Sequence, residues 1–403
     1  MAIEYWTAKQ ASDFLGVSLA TLYAYVSRKG IRSASVPRSR EHRYLRSDIE
    51  GLRDRKARQV SVPGELTSVS SITLLTEEGP YYRGRLATDL AETNSLEQVA
   101  TLLWDADTAA FGDEPPRGLV AIRDWQKQLA GQAAVYRALA LFPFLEAANP
   151  RAFDLTPVGL SRTGADILRW LTAIILGLDQ ADAAPIHTQF ATALNLSHEL
   201  GELLRRLLVL SADHGFEEGT YAVRAVASTG VTPWRSVATG LSVFSGRASK
   251  FDRNDSLRRM MAEIVDSPDG ELPILRRIRD GEELPGFASR IYPNGDPRAK
   301  ALLDYCERAL GDDIDYRRLR GALAVAREYG DLAPNFALAS IFAETRIGLE
   351  PRGPSMSLSS SEAPFLVGRA AGWVAHAIEQ YALGETGRRQ LIYRGPLPGP
   401  LGT

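Results

Sequence analysis

From residue 87 onward the chain reads as helix almost without a break, and no other feature constrains its fold as strongly. Apolar residues recur at three- and four-residue spacing through Leu96–Trp104, Gly118–Leu129, Ala133–Leu145, Ala165–Leu178 and His198–Ala212. Prolines fall mostly between these segments, where a missing N–H and a fixed φ end a helix. Ahead of them, "SSITLLTEEGPYYRGR" reads as a short strand pair. The fold class expected is therefore mainly α. A chain of 403 residues is long enough for a large core and for two or three domains.

Several classes are excluded. The sequence has no apolar run of about 18 residues, so no helix is expected to cross a membrane. The opening "MAIEYWTAKQ" lacks the apolar stretch of a signal peptide. Cys306 is the sole cysteine. No internal disulfide or cysteine-based metal cluster is expected, and Cys306 itself reads as a small buried hydrophobe. His42, His187, His198 and His376 are scattered without metal-ligand spacing and read as structural or surface residues. Glycine stretches such as "GLEPRGPS" do not match a phosphate loop. The expected location is the cytoplasm, with no membrane partner.

The net charge of −2 hides an asymmetry. Residues 1–58 carry 12 basic and 6 acidic side chains, so a basic segment precedes an acidic body. Thr7 can cap a helix over Ala8 to Leu15 with Ala11, Phe14 and Leu15 on one face. Gly16-Val17-Ser18 makes a tight turn into a second helix, Leu19 to about Arg28. Leu22 and Val26 point inward there, and Thr21, Tyr23, Tyr25 and Arg28 are left for a partner. Gly30 ends this helix. Arg38-Ser39-Arg40 and His42-Arg43-Tyr44 follow, then a third helix from Ser47.

The order of "TAKQASDFLGVSLATLYAYVSRKG" and "RSREHRYLRSDIEGL" resembles the MerR/excisionase type of winged helix-turn-helix. The resemblance implies a partner, DNA. Thr21, Tyr23 and Arg28 on the second helix would face the major groove, and Arg38, Arg40 and Arg43 of the wing would neutralise phosphates. The residues leave a basic protein-interaction module open, with Tyr23 and Tyr25 as core aromatics. Residues 59–66, "QVSVPGEL", read as a linker. The body spans 67–395, and "RGPLPGPLGT" reads as a flexible tail.

Six blocks of the body resemble citrate synthases, in family order. They are "YYRGRLATDLAETNSLEQVATLLW", "LSADHGFEEGTYAVRAVASTG", "PGFASRIYPNGDPRAKALL", "APNFALAS", "VGRAAGWVAHAIEQ" and "RRQLIYRG". The resemblance implies a helical homodimer with a large domain built from both chain ends. A small domain at about 250–345 would close over substrate. It also implies a Claisen condensation of acetyl-CoA with oxaloacetate, with a coenzyme A thioester as substrate or ligand and no covalently bound cofactor.

That chemistry needs a base for a weakly acidic C–H, a donor for the enol and a donor for the ketone. The family uses one aspartate and two histidines. Matching its motifs onto this sequence puts Ser249, Ser289 and Ala337 at the three positions. Serine donates a hydrogen bond but does not titrate near neutrality, and alanine does neither. The binding side is better kept. The resemblance gives His214 the role of holding oxaloacetate, and gives Arg298 and Arg369 the role of gripping carboxylates. Arg388 stands beside a third arginine position that aligns with Gly387. Glu217 and Glu218 replace small or neutral residues beside His214, so a ligand other than oxaloacetate is indicated.

Two functions follow. One is a degenerate citrate synthase body that binds a carboxylate or acyl-CoA and controls a DNA-binding head. The other is an acyltransferase using different residues (Asp252, Glu217 or Glu218 as base), or one subunit of a heteromer with a catalytically intact relative.

Overall fold

The computed structural model describes residues 5–15, 19, 22, 26, 33–35, 42–46, 49, 69–246, 251–287, 289, 291–348 and 362–383. The linker at 59–66 and the C-terminal tail lie outside the described residues. Two compact units are present, one reaching Val69 and the second beginning at Ser70.

The first unit is a small antiparallel sheet with helices. Strands β1 (Tyr5–Thr7), β2 (Ser33–Ser35) and β3 (His42–Leu45) pair in the order β1-β3-β2, with Tyr5 opposite Leu45 and Ser33 opposite Tyr44. Helix α1 (Ala8–Leu15) starts in a capping box. Gln10 N–H donates to Thr7 Oγ1 at 3.2 Å, and Thr7 N–H donates to Gln10 Oε1 at 3.0 Å. Leu19, Leu22 and Val26 are helical, as are Arg46 and Ile49. Ala11, Leu22, Tyr44 and Ile49 form the core, with Trp6, Ala8, Phe14 and Val26 packed on it.

The second unit opens with a three-stranded sheet rather than a pair. Strands β4 (Thr73–Thr76), β5 (Gly79–Tyr82) and β6 (Arg85–Leu86) run antiparallel in that order. The β5–β6 turn holds Arg83 at φ 44° and Gly84 at φ 82°. A two-residue hairpin of this hand needs positive φ at both positions, and glycine provides one without strain. Arg83 accepts the other while its Nε donates to Leu103 O at 2.9 Å.

Helices follow. They are α2 (Ala87–Thr93), α3 (Leu96–Trp104), α4 (Ile122–Gln128), α5 (Ala134–Ala148), α6 (Pro157–Leu176), α7 (Ile186–Ala193) and α8 (His198–Leu210). Then come α9 (Glu218–Ala227), α10 (Pro233–Phe244), α11 (Phe251–Asp266), α12 (Glu271–Asp280), α13 (Pro297–Leu310), α14 (Ile314–Gly330), α15 (Phe336–Arg346) and α16 (Ala363–Leu383). Leu96–Trp104 is helical over the span expected. Helix α4 is shorter than its pattern, and Val120 ahead of it is exposed. Helix α6 starts eight residues earlier than expected, because Thr156 caps it through Gly159 N–H and Pro157 takes the first position. Among the described residues no helix is long and apolar enough to cross a membrane.

Helix α16 is the axis of this unit. It is buried from Leu366 to Ala377 on all sides, as expected of a helix that is apolar nearly all round. It packs on α3, α6, α8, α9 and α10.

Candidate functional site

Close helix packing builds the site. A Cβ on Gly368 would lie 2.6 Å from Leu208 O, and one on Gly372 would lie 2.3 Å from Ala212 O. Without those side chains, α16 lies directly on the end of α8. Arg369, 1% exposed, donates from Nε to Ser211 O at 3.0 Å. Its Nη1 is 2.8 Å from Glu217 Oε1, at ion-pair distance but without hydrogen-bond alignment. Glu217 is brought there by α9, whose Gly219 lets Trp373 of α16 pack within 3.3 Å of where a Cβ would be.

Asp213 lies beneath this pair and is fully buried. Gly215 N–H donates to its Oδ2 at 3.0 Å, and Tyr82 Oη donates to its backbone O at 3.0 Å. His376, two turns along α16 from Arg369, has Nε2 3.3 Å from Asp213 Oδ1. Its Nδ1 is 3.3 Å from Arg224 Nη1. An arginine only donates, so the Nδ1 lone pair faces it and the ring proton belongs on Nε2. Arg224 is paired in turn with Glu379 at 2.5 Å. Burial opposes ionisation of Asp213, but His376 and Arg369 outweigh it and hold this carboxyl well below the usual range. Burial pushes the Tyr82 phenol up, with Arg298 and Arg369 both acting on it in the opposite sense.

Helix α13 supplies the second arginine. Asp296 caps it by accepting from Arg298 N–H at 3.0 Å, and Pro297 occupies the first position. The same carboxylate takes Arg298 Nε at 3.1 Å and Nη2 at 2.7 Å. Arg298 lies over the Phe336 ring at 4.4 Å and near Tyr292 at 5.9 Å. His214 Nε2 and the Tyr292 hydroxyl share a hydrogen bond of 3.1 Å. Burial pushes the Tyr292 phenol up to about 12. His214, Tyr292 and Arg298 therefore form one contiguous set.

The turns holding Ser289 and Ala337 are neighbours. Phe287 and Pro334 form an antiparallel bridge, and Asn335 N–H donates to Gly286 O at 2.8 Å. Ser289 Oγ accepts from Ile291 N–H and Tyr292 N–H, both at 3.3 Å. Asn335 Oδ1 caps α15 through Ala337 N–H at 3.0 Å and Leu338 N–H at 3.3 Å. Ser289 and Ala337 are both half-buried.

Ser249, Arg388, Thr21, Tyr23, Arg28, Arg38 and Arg40 lie outside the described residues, as does the Asp252 side chain. Arg43 is exposed on β3, and Glu218 is exposed at the start of α9. Cys306 is buried, and burial pushes its thiol up to about 12. His376 is structural rather than surface, and His198 is exposed. Among the described residues no cluster of histidine, cysteine and carboxylate side chains could hold a metal ion. Tyr292 begins the segment Tyr292-Pro293-Asn294-Gly295, which resembles the family's coenzyme A loop only in part, and the Asp213–His376–Arg224–Glu379 network was not expected from the sequence. A signal was available on α16, where Arg369 and His376 stand at positions i and i+7 in a run that is otherwise apolar from Ala363 to Ile378, with Glu379 next.

Comparison with known proteins agrees with this architecture. A family model described as citrate synthase, C-terminal domain, matches residues 174–394, and a helix-turn-helix domain model matches residues 6–56. The chain belongs to the citrate synthase family. "Citrate synthase 2" of Bacillus subtilis is 23% identical, over 83% of this chain and 95% of that protein. A 2-methylcitrate synthase of Mycobacterium tuberculosis is 25% identical, over 78% of this chain and 84% of that one. A Haloferax volcanii citrate synthase is 30% identical over 49% of this chain and 51% of its own length. In fold, the chain is similar to the Pyrobaculum aerophilum citrate synthase, with TM-score 0.67, 19% identity, and 92% and 97% of the two chains covered. It is also similar to the Thermoplasma acidophilum enzyme solved with carboxymethyl coenzyme A and oxaloacetate. There the TM-score is 0.65 at 17% identity, with 84% and 96% covered.

Proposed function

We propose that this protein is a ligand-controlled DNA-binding regulator whose citrate-synthase body has lost acetyl-CoA/oxaloacetate condensation. The body binds a small carboxylate or an acyl-CoA, and the helix-turn-helix head binds DNA. One observation carries the loss of chemistry. In the adjoining turns, position 289 holds a hydroxyl, already accepting two backbone N–H groups, and position 337 a methyl group. Neither removes a proton from a thioester methyl at neutral pH, and a missing positioned acid or base costs ~10²–10⁴ in rate. Binding groups remain, because Arg298 and His214 suit a carboxylate. Citrate synthases are commonly dimers. A homodimer would present two heads to a two-fold operator.

The experiment is free-thiol release by the pure protein with acetyl-CoA and oxaloacetate. It is paired with binding to DNA from around its own gene at several salt concentrations. Robust turnover sinks the loss of condensation. Absence of any salt-dependent sequence preference sinks the regulator.

A second reading has one observation in its favour: Glu217 brings a carboxylate to Arg369, three residues from His214. In this reading the protein is an acyl-CoA-dependent condensing enzyme with another base, or a subunit paired with an intact relative. Inactivity on acyl-CoA and 2-oxo acid panels, alone and with such a partner, counts against it.

A further inference from the structure

Arg369 is not waiting for a ligand carboxylate, because the chain supplies one. Glu217 sits 2.8 Å from its Nη1 and is the more exposed partner, at 23% against 2% for the arginine side chain. Glu217 occupies the N-cap position of α9, where serine, threonine, aspartate or asparagine serve best, and its side chain makes no capping bond. Helix formation therefore does not account for its orientation. The buried guanidinium does, since a buried cation without an anion is strongly disfavoured.

The other arginine keeps a free edge. Arg298 gives Nε and Nη2 to Asp296, and among the described residues nothing accepts from its Nη1. His214 and Tyr292 adjoin it. His214 stands three residues before Glu217 on one loop, so that loop meets Arg369 through Glu217 and reaches Tyr292, beside Arg298, through His214.

We infer that Glu217 is a built-in stand-in for one carboxylate of a dicarboxylate, so that this site takes a monocarboxylate instead. The ligand carboxylate would meet Arg298, and a hydroxyl or ammonium on the same ligand would face Glu217. A dianion would bring its second carboxylate against Glu217 or have to expel it, and like charges in a partly buried site repel strongly. A monoanion leaves the Glu217–Arg369 pair intact. This inference rests on the reading of Arg298 and His214 as carboxylate-binding groups. It does not depend on DNA binding or on the loss of condensation.

The test is calorimetric titration of the full chain, without DNA or acyl-CoA, using oxaloacetate and malonate against pyruvate and lactate. Wild type is compared with Glu217→Gln and Glu217→Ala. Wild type is expected to favour the monocarboxylates, and both variants to shift the preference toward dicarboxylates by roughly tenfold or more. Glu217→Ala is also expected to melt lower and to be restored by malonate but not by lactate. Glu217→Gln keeps a polar group beside Arg369 and serves if the alanine variant fails to fold. Equal affinity of wild type for both classes, an unchanged preference in the variants, or no carboxylate binding by any of the three proteins overturns the inference. None of these results bears on the thiol-release or DNA measurements, so the regulator can stand or fall separately.

Discussion

Asp296 holds Arg298 twice over: its Oδ1 accepts the arginine's backbone N–H at 3.0 Å, and its two oxygens take Nε and Nη2 at 3.1 and 2.7 Å. Burial disfavours the charged guanidinium, but Asp296 outweighs it and keeps Arg298 firmly protonated. Both side chains are at most 7% exposed, so solvent screens the pair little. Asp296→Asn preserves a helix cap yet leaves the arginine without its anion. The expected cost is about 3 kcal/mol in urea unfolding, the low end for breaking a buried pair. A loss below about 1 kcal/mol, typical of an exposed pair, would mean that water reaches it.

Asp166 gives a pH dependence of the opposite kind to Asp213. Burial raises its pKa from 3.8 to about 6, despite hydrogen bonding from Asn149 and the nearby Arg151. A group whose folded pKa is raised binds more protons when folded, so its contribution to stability falls as pH rises from about 4 through 6. Asp166→Asn removes that loss. The variant is expected to be more stable than wild type at pH 7.5, by about 2–3 kcal/mol at most. The difference should shrink toward zero near pH 4. Guanidinium melts at the two pH values measure it, and a gain independent of pH would assign the effect to packing instead.

Gly372 tests the helix contact that builds the site. An alanine Cβ there would lie 2.3 Å from Ala212 O and 2.7 Å from Asp213 Oδ1, and a backbone carbonyl cannot move aside cheaply. Gly372→Ala is expected to destabilise by about 2–3 kcal/mol, as overpacking does, despite alanine's better helix propensity. The thermal melt reads this directly. An unchanged or raised melting temperature would show that α16 and α8 separate without cost.

The sequence carried the helical class and the candidate site positions Arg298 and Arg369 better than it carried their partners. Arg298 and Arg369 were readable because each sits in a local motif. Their anions were less so: Asp296 adjoins Arg298 in sequence, but Glu217 reaches Arg369 only through the packing of α9 on α16. His376 looked unremarkable because Asp213 and Arg224 lie on other elements. The start of α6 was missed for a related reason. Its first turns hold Ser161, Thr163 and Asp166, which interrupt the apolar pattern but are buried. Thr163 donates to Arg151 O at 3.2 Å, and Asp166 accepts from Asn149 at 2.9 Å. Polar residues satisfied by distant partners defeat a reading based on periodicity.

Arg43 offers a direct test of the DNA-binding head. It lies on β3, exposed, paired in register with Thr7 and Ala34, while its neighbour Tyr44 is buried in the core of that unit. Arg43→Gln should therefore leave folding nearly unchanged, within about 0.5 kcal/mol, as surface substitutions generally do. If Arg43 meets a phosphate, the variant should bind every DNA sequence more weakly, by a similar factor. The slope of log K against log salt should become shallower by about 0.9, the contribution of one neutralised phosphate. Electrophoretic mobility shifts on full-length protein at several salt concentrations supply that slope. An unchanged slope with unchanged affinity would remove Arg43 from the interface. A change confined to particular base positions would instead make it a reader of sequence.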